Sequence, residues 1–368
     1  MSTVRIWDLP TRLFHWLFAA ACVTAWVSGD EPRYTDLHLF AGYLALGLVL
    51  FRLVWGVMGG RYARFSQFVR GPAVVLSHLR HLFERERPHE PGHNPAGAVA
   101  IVLMLGLVFA LGVTGLVVLG GEEGFGPLAG FFTVAQGVTL HGWHEWLGWA
   151  LLIVVLLHLV GVALESVLQR RNLPRSMVSG TAPANKDEAE PHNAAATAVV
   201  LLLVVSGFAV SWFYPYLQED KEDPYHPFVA GDLKRNPVWQ EACSECHMAY
   251  HPSLLPDRSW QRMLDEQADH FGEDLFLLPE TVAALRRFAA ESAAGQVERE
   301  LSWRTLHSLS AGQTPLRITD TPYWKSVHRE IDAGTWKRPA VNGEFNCAAC
   351  HQDAEQGGFM NGAMRIPE

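Results

Sequence analysis

Long apolar runs dominate the first 214 residues of this chain. They lie at Leu13–Val27, Leu37–Met58, Pro95–Leu119, His144–Leu164 and Ala194–Tyr214. A helix needs about 20 apolar residues to cross a bilayer, and in lipid the backbone polar groups must be satisfied within the segment. The runs therefore predict five membrane-spanning helices. The first run is short, so its helix must include Arg12 and Ser28 near the two interfaces.

Loop charges predict the orientation of these helices. The loops at 59–94 and 169–193 are rich in Arg, and Arg5 precedes the first run, whereas the loops on the opposite side are mainly acidic. By the positive-inside rule the N-terminus is cytoplasmic, and five crossings place residue 215 onward in the periplasm. A cleavable signal peptide is the competing interpretation of the first run. That run has no convincing small-residue cleavage site, and it contains His15, which a discarded segment would not need.

Two copies of the pentapeptide Cys-x-x-Cys-His lie in the last third of the chain. Their residues are Cys243, Cys246 and His247 in one copy and Cys347, Cys350 and His351 in the other. This motif is typical of c-type haem attachment, in which the two thiols bond to the haem edge and the adjacent His is the proximal iron ligand. We therefore predict two covalent haem c groups. A zinc site built from the two Cys pairs is the alternative, but it would not need a His directly after each pair.

Covalent haem attachment takes place outside the bacterial cytoplasm, in an oxidising compartment. The motifs and the loop charges thus predict the same periplasmic side. The C-terminal part, from Pro215 onward, has 24 acidic and 15 basic residues, whereas the first 214 residues balance at 14 of each. Such an acidic surface favours basic partners and does not indicate nucleic-acid binding. The fifth cysteine, Cys22, lies in an apolar run and is predicted to be a small buried hydrophobe.

Histidines inside the predicted spans indicate function, because ionisable residues in a membrane are costly. His144 and His158 are 14 residues apart in one span, which is about four helical turns and about 21 Å, so both face one side. By depth, His144 matches His38 on the periplasmic side and His158 matches His15 on the cytoplasmic side. Each pair could hold one haem iron between facing helices. Hydrogen bonding within the bundle is the alternative for all four.

The roles predicted for the other histidines and for Arg52 of the membrane part are less specific. His141 is a rival of His144, because it lies on a similar helix face. Arg52 is predicted either to bind a haem propionate or to extend towards the cytoplasmic interface. The remaining histidines of this part are expected to be merely polar loop residues: His78, His81, His89, His93 and His192.

These residues resemble the bacterial cytochrome b561 family, which includes the cytochrome b subunits of nickel–iron hydrogenases. The resemblance covers roughly residues 4–180 and is carried by Arg12–Trp16, the His38 span with Gly42 and Arg52, His93–Pro95, and His144-Glu145 followed by His158. It implies a four-helix core that holds two b-type haems and exchanges electrons with quinone. The four ligands carry over to His15, His38, His144 and His158.

A second resemblance, to the dihaem cytochrome c family, covers roughly residues 236–368. It is carried by Asn236–Trp239, Cys243–Tyr250, Leu254–Pro256, Arg258–Trp260, His270–Asp274, Leu316–Thr319 and Asn346–His351. It implies two six-coordinate haems c with a His on both faces. His270 and His328 stand at family positions and are chosen as the distal ligands.

Alternative distal ligands remain open. His307 is the reserve candidate, and His251 is expected to be a surface residue. Ligation by Met248, Met263, Met360 or Met364 would raise the potential of a haem. The many Trp and Tyr residues here either wall the haems from water or simply form the core.

The predicted fold is mainly α: a transmembrane four-helix dihaem b bundle at residues 1–180, a linker with a fifth anchoring helix at 181–215, and a mostly α periplasmic dihaem cytochrome c domain at 216–368. The favoured hypothesis is a cytochrome of the bacterial inner membrane. It would pass electrons from the membrane quinone pool through two b haems and two c haems to a soluble periplasmic carrier. The enzyme class would be an oxidoreductase, with a quinol–cytochrome c reductase as one form. The alternatives are an electron-accepting anchor subunit of a larger periplasmic redox enzyme and a haem-based gas or redox sensor.

Overall fold

The structure, a computed structural model, describes residues 2–30, 34–80, 92–184, 233–360 and 363–367. Its described residues fall into two compact units. The first unit holds residues 2–30, 36–115 and 142–184. The second unit holds residues 34–35, 116–141, 233–360 and 363–367.

The N-terminal part is helical, as the sequence predicts. Its helices are α1 (Leu9–Ser28), α2 (Thr35–Met58), α3 (Phe65–Phe68), α4 (Pro72–Arg80), α5 (Pro95–Gly121), α6 (Val134–Leu168) and α7 (Leu173–Ser179). Within the described residues, α2, α5 and α6 are long and apolar enough to cross a membrane. The first predicted span corresponds to α1, which has 20 residues.

Local signals explain where two of these helices begin. Asp8 caps α1, because its Oδ1 accepts a hydrogen bond from the backbone N–H of Thr11 at 2.8 Å, and Pro10 lies in the first turn. Helix α6 begins ten residues before the predicted span at His144. The less apolar segment 134–143 continues the same helix, which hydropathy alone does not reveal.

A short antiparallel sheet joins the two ends of the membrane-like region. Strand β1 (Ser2–Arg5) pairs with strand β2 (Thr181–Ala184), with Ser2 opposite Ala184 and Arg5 opposite Thr181. The sequence pattern does not predict this pair. Each strand has four residues, which is too short for a recognisable alternation of apolar and polar residues.

The core of the first unit is formed by side chains of α1, α2 and α5. It contains Phe14, Ala21, Ala45, Leu48, Val49, Phe51, Trp55, Leu105 and Val108. By contrast, α6 leaves large apolar side chains exposed, among them Trp146 at 74 % and Leu157 at 65 %. A large exposed apolar surface is costly in water and suits contact with lipid.

The second unit is built from short helices around an aromatic core. Its later helices are α8 (Pro237–Cys243), α9 (Asp257–Asp265), α10 (Pro279–Ser292), α11 (Glu300–Ser308) and α12 (Pro322–Val327). Six 3₁₀ helices lie between and after them: Pro252–Leu254, Gln267–Asp269, Ile318–Asp320, Thr335–Lys337, Cys347–Ala349 and Ala354–Gln356. Trp239 and Trp260 pack edge to face with ring centroids 5.2 Å apart, and both are buried. Leu255, Leu264, Leu285 and Phe288 complete this core.

Some predictions concern residues outside the described part of the chain. These are the fifth span at 194–214, the linker before it, and the loop histidines His81, His89 and His192. The predicted division at 1–180, 181–215 and 216–368 therefore remains a prediction.

Candidate haem-binding sites

The structure brings together His38 on α2 and His144 on α6, the pair that the depth argument selects as ligands of one haem. Their ring centroids are 6.0 Å apart with an interplanar angle of 72°. Two imidazoles on opposite sides of one metal ion would have centroids about 6 Å apart, given metal–nitrogen bonds of about 2 Å and ring centres about 1 Å beyond. The pair therefore fits one iron.

Hydrogen bonds orient both rings of this pair. His38 Nδ1 lies 2.8 Å from the backbone carbonyl of Ala25. His144 Nδ1 lies 3.0 Å from the hydroxyl of Thr114, which itself donates to the carbonyl of Ala110 and so accepts from the ring. Protons on both Nδ1 atoms leave the Nε2 atoms as ligands, which is the usual arrangement for a metal-binding His.

Close packing also holds His144 in place. A Cβ added at Gly115 on α5 would lie 3.2 Å from His144 Cε1, a tight contact. Glycine at position 115 therefore leaves just enough room for the ring. The rival ligand His141 instead contacts Glu122, with its Nδ1 2.9 Å from Glu122 Oε2.

The second predicted pair, His15 on α1 and His158 on α6, lies within electrostatic interaction range. Nδ1 of His15 is buried and has no hydrogen-bond partner among the described residues. The sequence predicted this pair from depth alone. The structure brings both histidines into the first unit, together with Arg52 and His93.

The charged end of Arg52 is buried and does not reach water, which the interfacial one of its two predicted roles would require. The residue is only 3 % exposed, and its guanidinium stacks on Phe65 at 4.7 Å and lies 5.8 Å from the ring centroid of Phe68. His93 was expected to be a merely polar loop residue, and this expectation is wrong. Its ring packs against Trp7 and Phe68 with centroids 4.6 and 4.4 Å away. The signal that sequence reasoning missed is its position directly before α5, where an Asn-Pro sequence turns the chain into the helix.

In the second unit, each predicted proximal His lies next to one predicted distal His. His247 and His270 have ring centroids 6.3 Å apart, and His328 and His351 have centroids 6.2 Å apart. Both separations equal, within about 0.3 Å, the spacing of two imidazoles across one iron. The pairs His38–His144, His247–His270 and His328–His351 thus share one spacing of ring centroids.

Local structure positions the two predicted distal ligands of the second unit. His270 follows the 3₁₀ helix Gln267–Asp269, and its N–H donates to the carbonyl of Glu273 at 2.7 Å. Phe271 then takes a positive φ of 55° and Gly272 one of 102°, which makes the tight turn of the His-Phe-Gly element. His328 directly follows α12, and its Nδ1 lies 2.9 Å from the carbonyl of Trp324.

Burial keeps these imidazoles neutral, which iron ligation requires. It lowers the pKa of His270 and of His328, and it lowers the pKa of His351 to about 4, with His328 as a second cause. His247 Nδ1 lies 2.8 Å from the carbonyl of Met248. Nδ1 of His351 is buried without a hydrogen-bond partner in the described part of the chain.

Tyr250 links the two Cys-x-x-Cys-His segments. Its ring contacts His247 at a centroid distance of 4.9 Å, and its hydroxyl donates to the carbonyl of Phe345, two residues before Cys347. Burial, with Cys347 nearby, raises the pKa of Tyr250. The two attachment motifs are therefore neighbours in the fold although their proximal histidines are 104 positions apart in sequence.

The cysteines of the motifs are free thiols in this structure and not disulfides. Burial raises the pKa of Cys243 to about 12 and that of Cys347 to about 11. Buried neutral thiols fit an apolar pocket for the edge of a haem. Within the described residues, no group of three or more His, Cys, Asp or Glu side chains converges on a metal position, whereas the zinc alternative required four Cys together.

The aromatic residues divide between the two roles that the sequence left open. Trp239 and Trp260 are core residues, and both indole N–H groups donate to backbone carbonyls, of Tyr250 at 3.0 Å and of Pro252 at 2.7 Å. Trp324 instead stacks on His328 with centroids 4.4 Å apart, and it lies beside Trp336. Both indoles contact His328, the centroid of Trp336 at 6.0 Å.

Two other histidines of the second unit have structural contacts. His251 was expected to be a surface residue, but it is partly buried. Its ring hydrogen-bonds the hydroxyl of Ser253 and caps the 3₁₀ helix that follows. The reserve ligand His307 stacks on Trp303 at 4.1 Å. Neither of the two proximal histidines has a described ring contact with it.

Comparison with known proteins matches the N-terminal and C-terminal parts of the chain to two different families. Residues 6–180 match the model of the family described as prokaryotic cytochrome b561. The chain is 30 % identical over 215 residues to the "probable Ni/Fe-hydrogenase B-type cytochrome subunit" of Azotobacter chroococcum mcd 1, covering 49 % of this chain and 88 % of that protein. It is 28 % identical over 219 residues to the protein of the same name from Cupriavidus necator, covering 49 % and 87 %.

The C-terminal part matches a different family. Residues 239–359 match the model described as dihaem cytochrome c. Among solved structures, the chain is similar to a dihaem cytochrome c from Rhodobacter sphaeroides, with 34 % identity and a TM-score of 0.31, covering 34 % of this chain and 98 % of that one. A dihaem cytochrome c from Shewanella baltica OS155 is 26 % identical, with a TM-score of 0.30 and coverage of 37 % and 95 %.

Proposed function

This chain belongs to the prokaryotic cytochrome b561 family over residues 6–180 and to the dihaem cytochrome c family over residues 239–359, and on that premise we propose that it carries electrons from membrane quinol to a periplasmic acceptor. Two b haems and two c haems would supply the one-electron chemistry. The spacing of His38–His144, His247–His270 and His328–His351 carries this proposal. Three pairs of imidazoles at one separation fit three irons, each with a ligand on both faces.

In this proposal the chain's own side chains hold and tune the cofactors. His15 with His158 and His38 with His144 bind the two b haems inside the helices. His247 with His270 and His351 with His328 bind the two c haems, and the four motif cysteines attach them. Ligation by two histidines leaves no open position on the iron, which favours electron transfer over gas binding or substrate chemistry.

The orientation of the proposed path, with its c haems on the periplasmic side, rests on two independent features of the sequence. The Arg-rich loops predict a cytoplasmic N-terminus, and the attachment motifs require an oxidising compartment for the C-terminal part. We infer that the C-terminal part lies on the periplasmic side of the inner membrane. There it delivers electrons to a soluble carrier, and its acidic surface suits a basic one.

A haem count together with a reduction assay tests the proposal. Pyridine haemochrome spectra of the purified full-length chain should give two b and two c haems. Added quinol should then reduce both types, in the order b before c. Finding c haem alone would contradict the membrane part of the path, and reduction of c haem without b haem would contradict its order.

The names of the relatives favour a second function. The relatives from Azotobacter chroococcum and Cupriavidus necator are both named as subunits of a hydrogenase. By this second proposal the chain accepts electrons from a separate periplasmic redox enzyme. Purification from mild detergent distinguishes the two functions. A large metalloenzyme that co-purifies in stoichiometric amount, with no reduction of the isolated chain by quinol, would establish the anchor role.

A further inference from the structure

Two buried nitrogen atoms near the predicted cytoplasmic haem ligands lack a hydrogen-bond partner among the described residues. They are Nη1 of Arg52, on α2, and Nδ1 of His93, in the segment that precedes α5. Both residues belong to the first unit, as do His15 and His158. Buried polar groups are nearly always hydrogen-bonded, so such atoms indicate a missing partner.

The surroundings of Arg52 demand an anion. Its guanidinium is stacked on Phe65 and is almost completely removed from water. The carboxylate that acts on it is Asp8. However, Oδ1 of Asp8 accepts from the N–H of Thr11, and Oδ2 accepts from Trp55 Nε1 at 3.2 Å. A buried charge without a bonded counter-charge is strongly destabilising.

His93 is the second donor of the same cluster. Trp7 and Phe68 hold its ring in place. Its pKa is lowered to about 3, first by burial and then by Arg52, His15 and His158. The ring is therefore neutral at physiological pH and has one N–H to donate. Arg52 and His93 both contact the ring of Phe68, at 5.8 and 4.4 Å from its centroid, so the two donors are neighbours. His93 also interacts electrostatically with the predicted haem ligands His15 and His158.

We propose that Arg52 and His93 form one anion site, and that its anion is a propionate of the haem held between His15 and His158. This inference rests on the proposed ligation by that pair. Haem brings its own carboxylates to the position where the chain has a buried cation and an unused donor. The fork of a guanidinium matches a carboxylate with two parallel hydrogen bonds.

The charge of Arg52 decides between a carboxylate and a quinone carbonyl. A quinone is neutral and would leave the guanidinium uncompensated in its apolar pocket. A propionate cancels that charge, and the neutral His93 adds a hydrogen bond without adding charge. The observations therefore favour the propionate, and binding of quinone or semiquinone at the same place becomes an outcome of the test.

The site should raise the reduction potential of this haem. A cation next to an iron favours the reduced state, and the loss of Arg52 would leave an unpaired propionate that favours the oxidised state. Removal of His93 would weaken the hydrogen bond but keep the charge. The effect of His93 should accordingly be smaller than that of Arg52.

The test uses the haem-loaded, full-length protein with Arg52→Gln, Arg52→Lys and His93→Leu. In a redox titration, Arg52→Gln should lower the equilibrium constant for reduction of one b haem about tenfold, or about 59 mV for a one-electron couple. The other b haem and both c haems should keep their potentials. Resonance Raman bands of the propionate groups should shift in Arg52→Gln and in His93→Leu, and Arg52→Lys should recover most of the potential.

Arg64→Gln is the matched control, because Arg64 is an exposed arginine in the segment that follows α2. This variant should change neither the potentials nor the Raman bands. Unchanged Raman bands and potentials in both Arg52→Gln and His93→Leu would overturn the inference. A shift in potential without a Raman shift would overturn it too, since another carboxylate would then be the partner of Arg52. A changed semiquinone radical signal with unchanged haem bands would assign the site to quinone instead.

Two further results separate this inference from the proposed function. If Arg52→Gln fails to fold, Arg52→Lys and His93→Leu decide by the same two readouts. If His158→Ala retains both b haems, the ligand assignment fails, whatever the Arg52 variants show.

Discussion

Both units bring pairs of predicted haem-ligating histidines together, but they do so with different secondary structure. In the first unit, the paired histidines lie inside long helices: His38 in α2, and His144 and His158 in α6, which has 35 residues. In the second unit, His270 follows a 3₁₀ helix, His328 directly follows the six-residue α12, and His351 lies in a loop. Yet the ring centroids are 6.0 Å apart in the first unit and 6.2 to 6.3 Å apart in the second.

The difference lies in what retains the haem. In the first unit no covalent bond would hold a b haem, so long rigid helices must place both imidazoles. In the second unit the cysteines would bond to the haem, so the chain around it can be short and irregular. We therefore expect loss of a histidine to release the haem from the first unit and only to open the iron in the second.

The largest effect is expected for His158→Ala. Because the haem between His15 and His158 has no covalent bond to the chain, loss of one ligand should release it, and pyridine haemochrome analysis should show one b haem fewer with both c haems retained. His141→Ala is the matched control on the same helix, since His141 pairs with Glu122. Loss of a b haem from the His141 variant would mean that the ligands on α6 are wrongly assigned.

The second prediction concerns His328→Ala in the second unit. The cysteines should retain the haem, so the c haem count stays at two, but one iron should become high-spin and bind carbon monoxide. Difference spectra with carbon monoxide measure this directly. His307→Ala should show no such change, because His307 stacks on Trp303. Carbon monoxide binding in the His307 variant and not in the His328 variant would reverse the choice of distal ligand.

A smaller effect is expected from Gly115→Ala, which tests how closely packing positions a b-haem ligand. The new Cβ would lie 3.2 Å from His144 Cε1, so the ring must shift by a few tenths of an ångström. We expect the equilibrium constant for reduction of one b haem to change several-fold, less than about tenfold, as measured by redox titration. Gly106→Ala on the same helix meets nothing within 4 Å and should leave the potential unchanged. Equal behaviour of the two variants would show that Gly115 does not constrain His144.

The smallest effect is expected at Glu123, in the second unit. Burial, followed by the neighbouring Glu300 and Glu122, raises its pKa from 4.5 to about 7. The folded chain then keeps a proton between these pH values that the unfolded chain has lost, so stability falls as the pH rises through this window. The difference amounts to about 3 kcal/mol at most.

Melting curves at pH 5 and pH 8 measure this effect. Glu123→Gln should raise the melting temperature at pH 8 and change it little at pH 5, because glutamine mimics the protonated acid. Glu280→Gln, an exposed carboxylate of the same unit, should behave alike at both pH values. A Glu123→Gln variant that is no more stable at pH 8 than the wild type would show that the carboxylate is solvated.

Much of the candidate site followed from simple periodicity. The spacing of 14 residues placed His144 and His158 on one face of a helix, and matching depth selected His38 as the partner of His144. The attachment motifs are local in sequence and needed no fold to be recognised. The distal ligands were harder, since His270, His307 and His328 all follow or end short helices. The resemblance to a family, and not any period, selected two of them.

Other features could not be predicted, because they depend on contacts between distant segments. The pairing of β1 with β2 joins residues about 180 positions apart. The packing of His93 between Trp7 and Phe68 joins three separate segments, which are distant in sequence. The two attachment motifs are neighbours through contacts between distant segments, among them the hydrogen bond from the Tyr250 hydroxyl to the carbonyl of Phe345.

The sequence by itself determined the cofactor class, the helical character and the residues able to bind iron. These depend on local spacing, and local spacing is set by the geometry of a helix or of a pentapeptide. Tertiary structure alone decided which donors are buried together: Arg52 with His93, His141 with Glu122, and Trp324 with His328. The physical reason is that burial is a property of the whole packed unit, and it is burial that turns an ordinary arginine or histidine into a group that requires a partner.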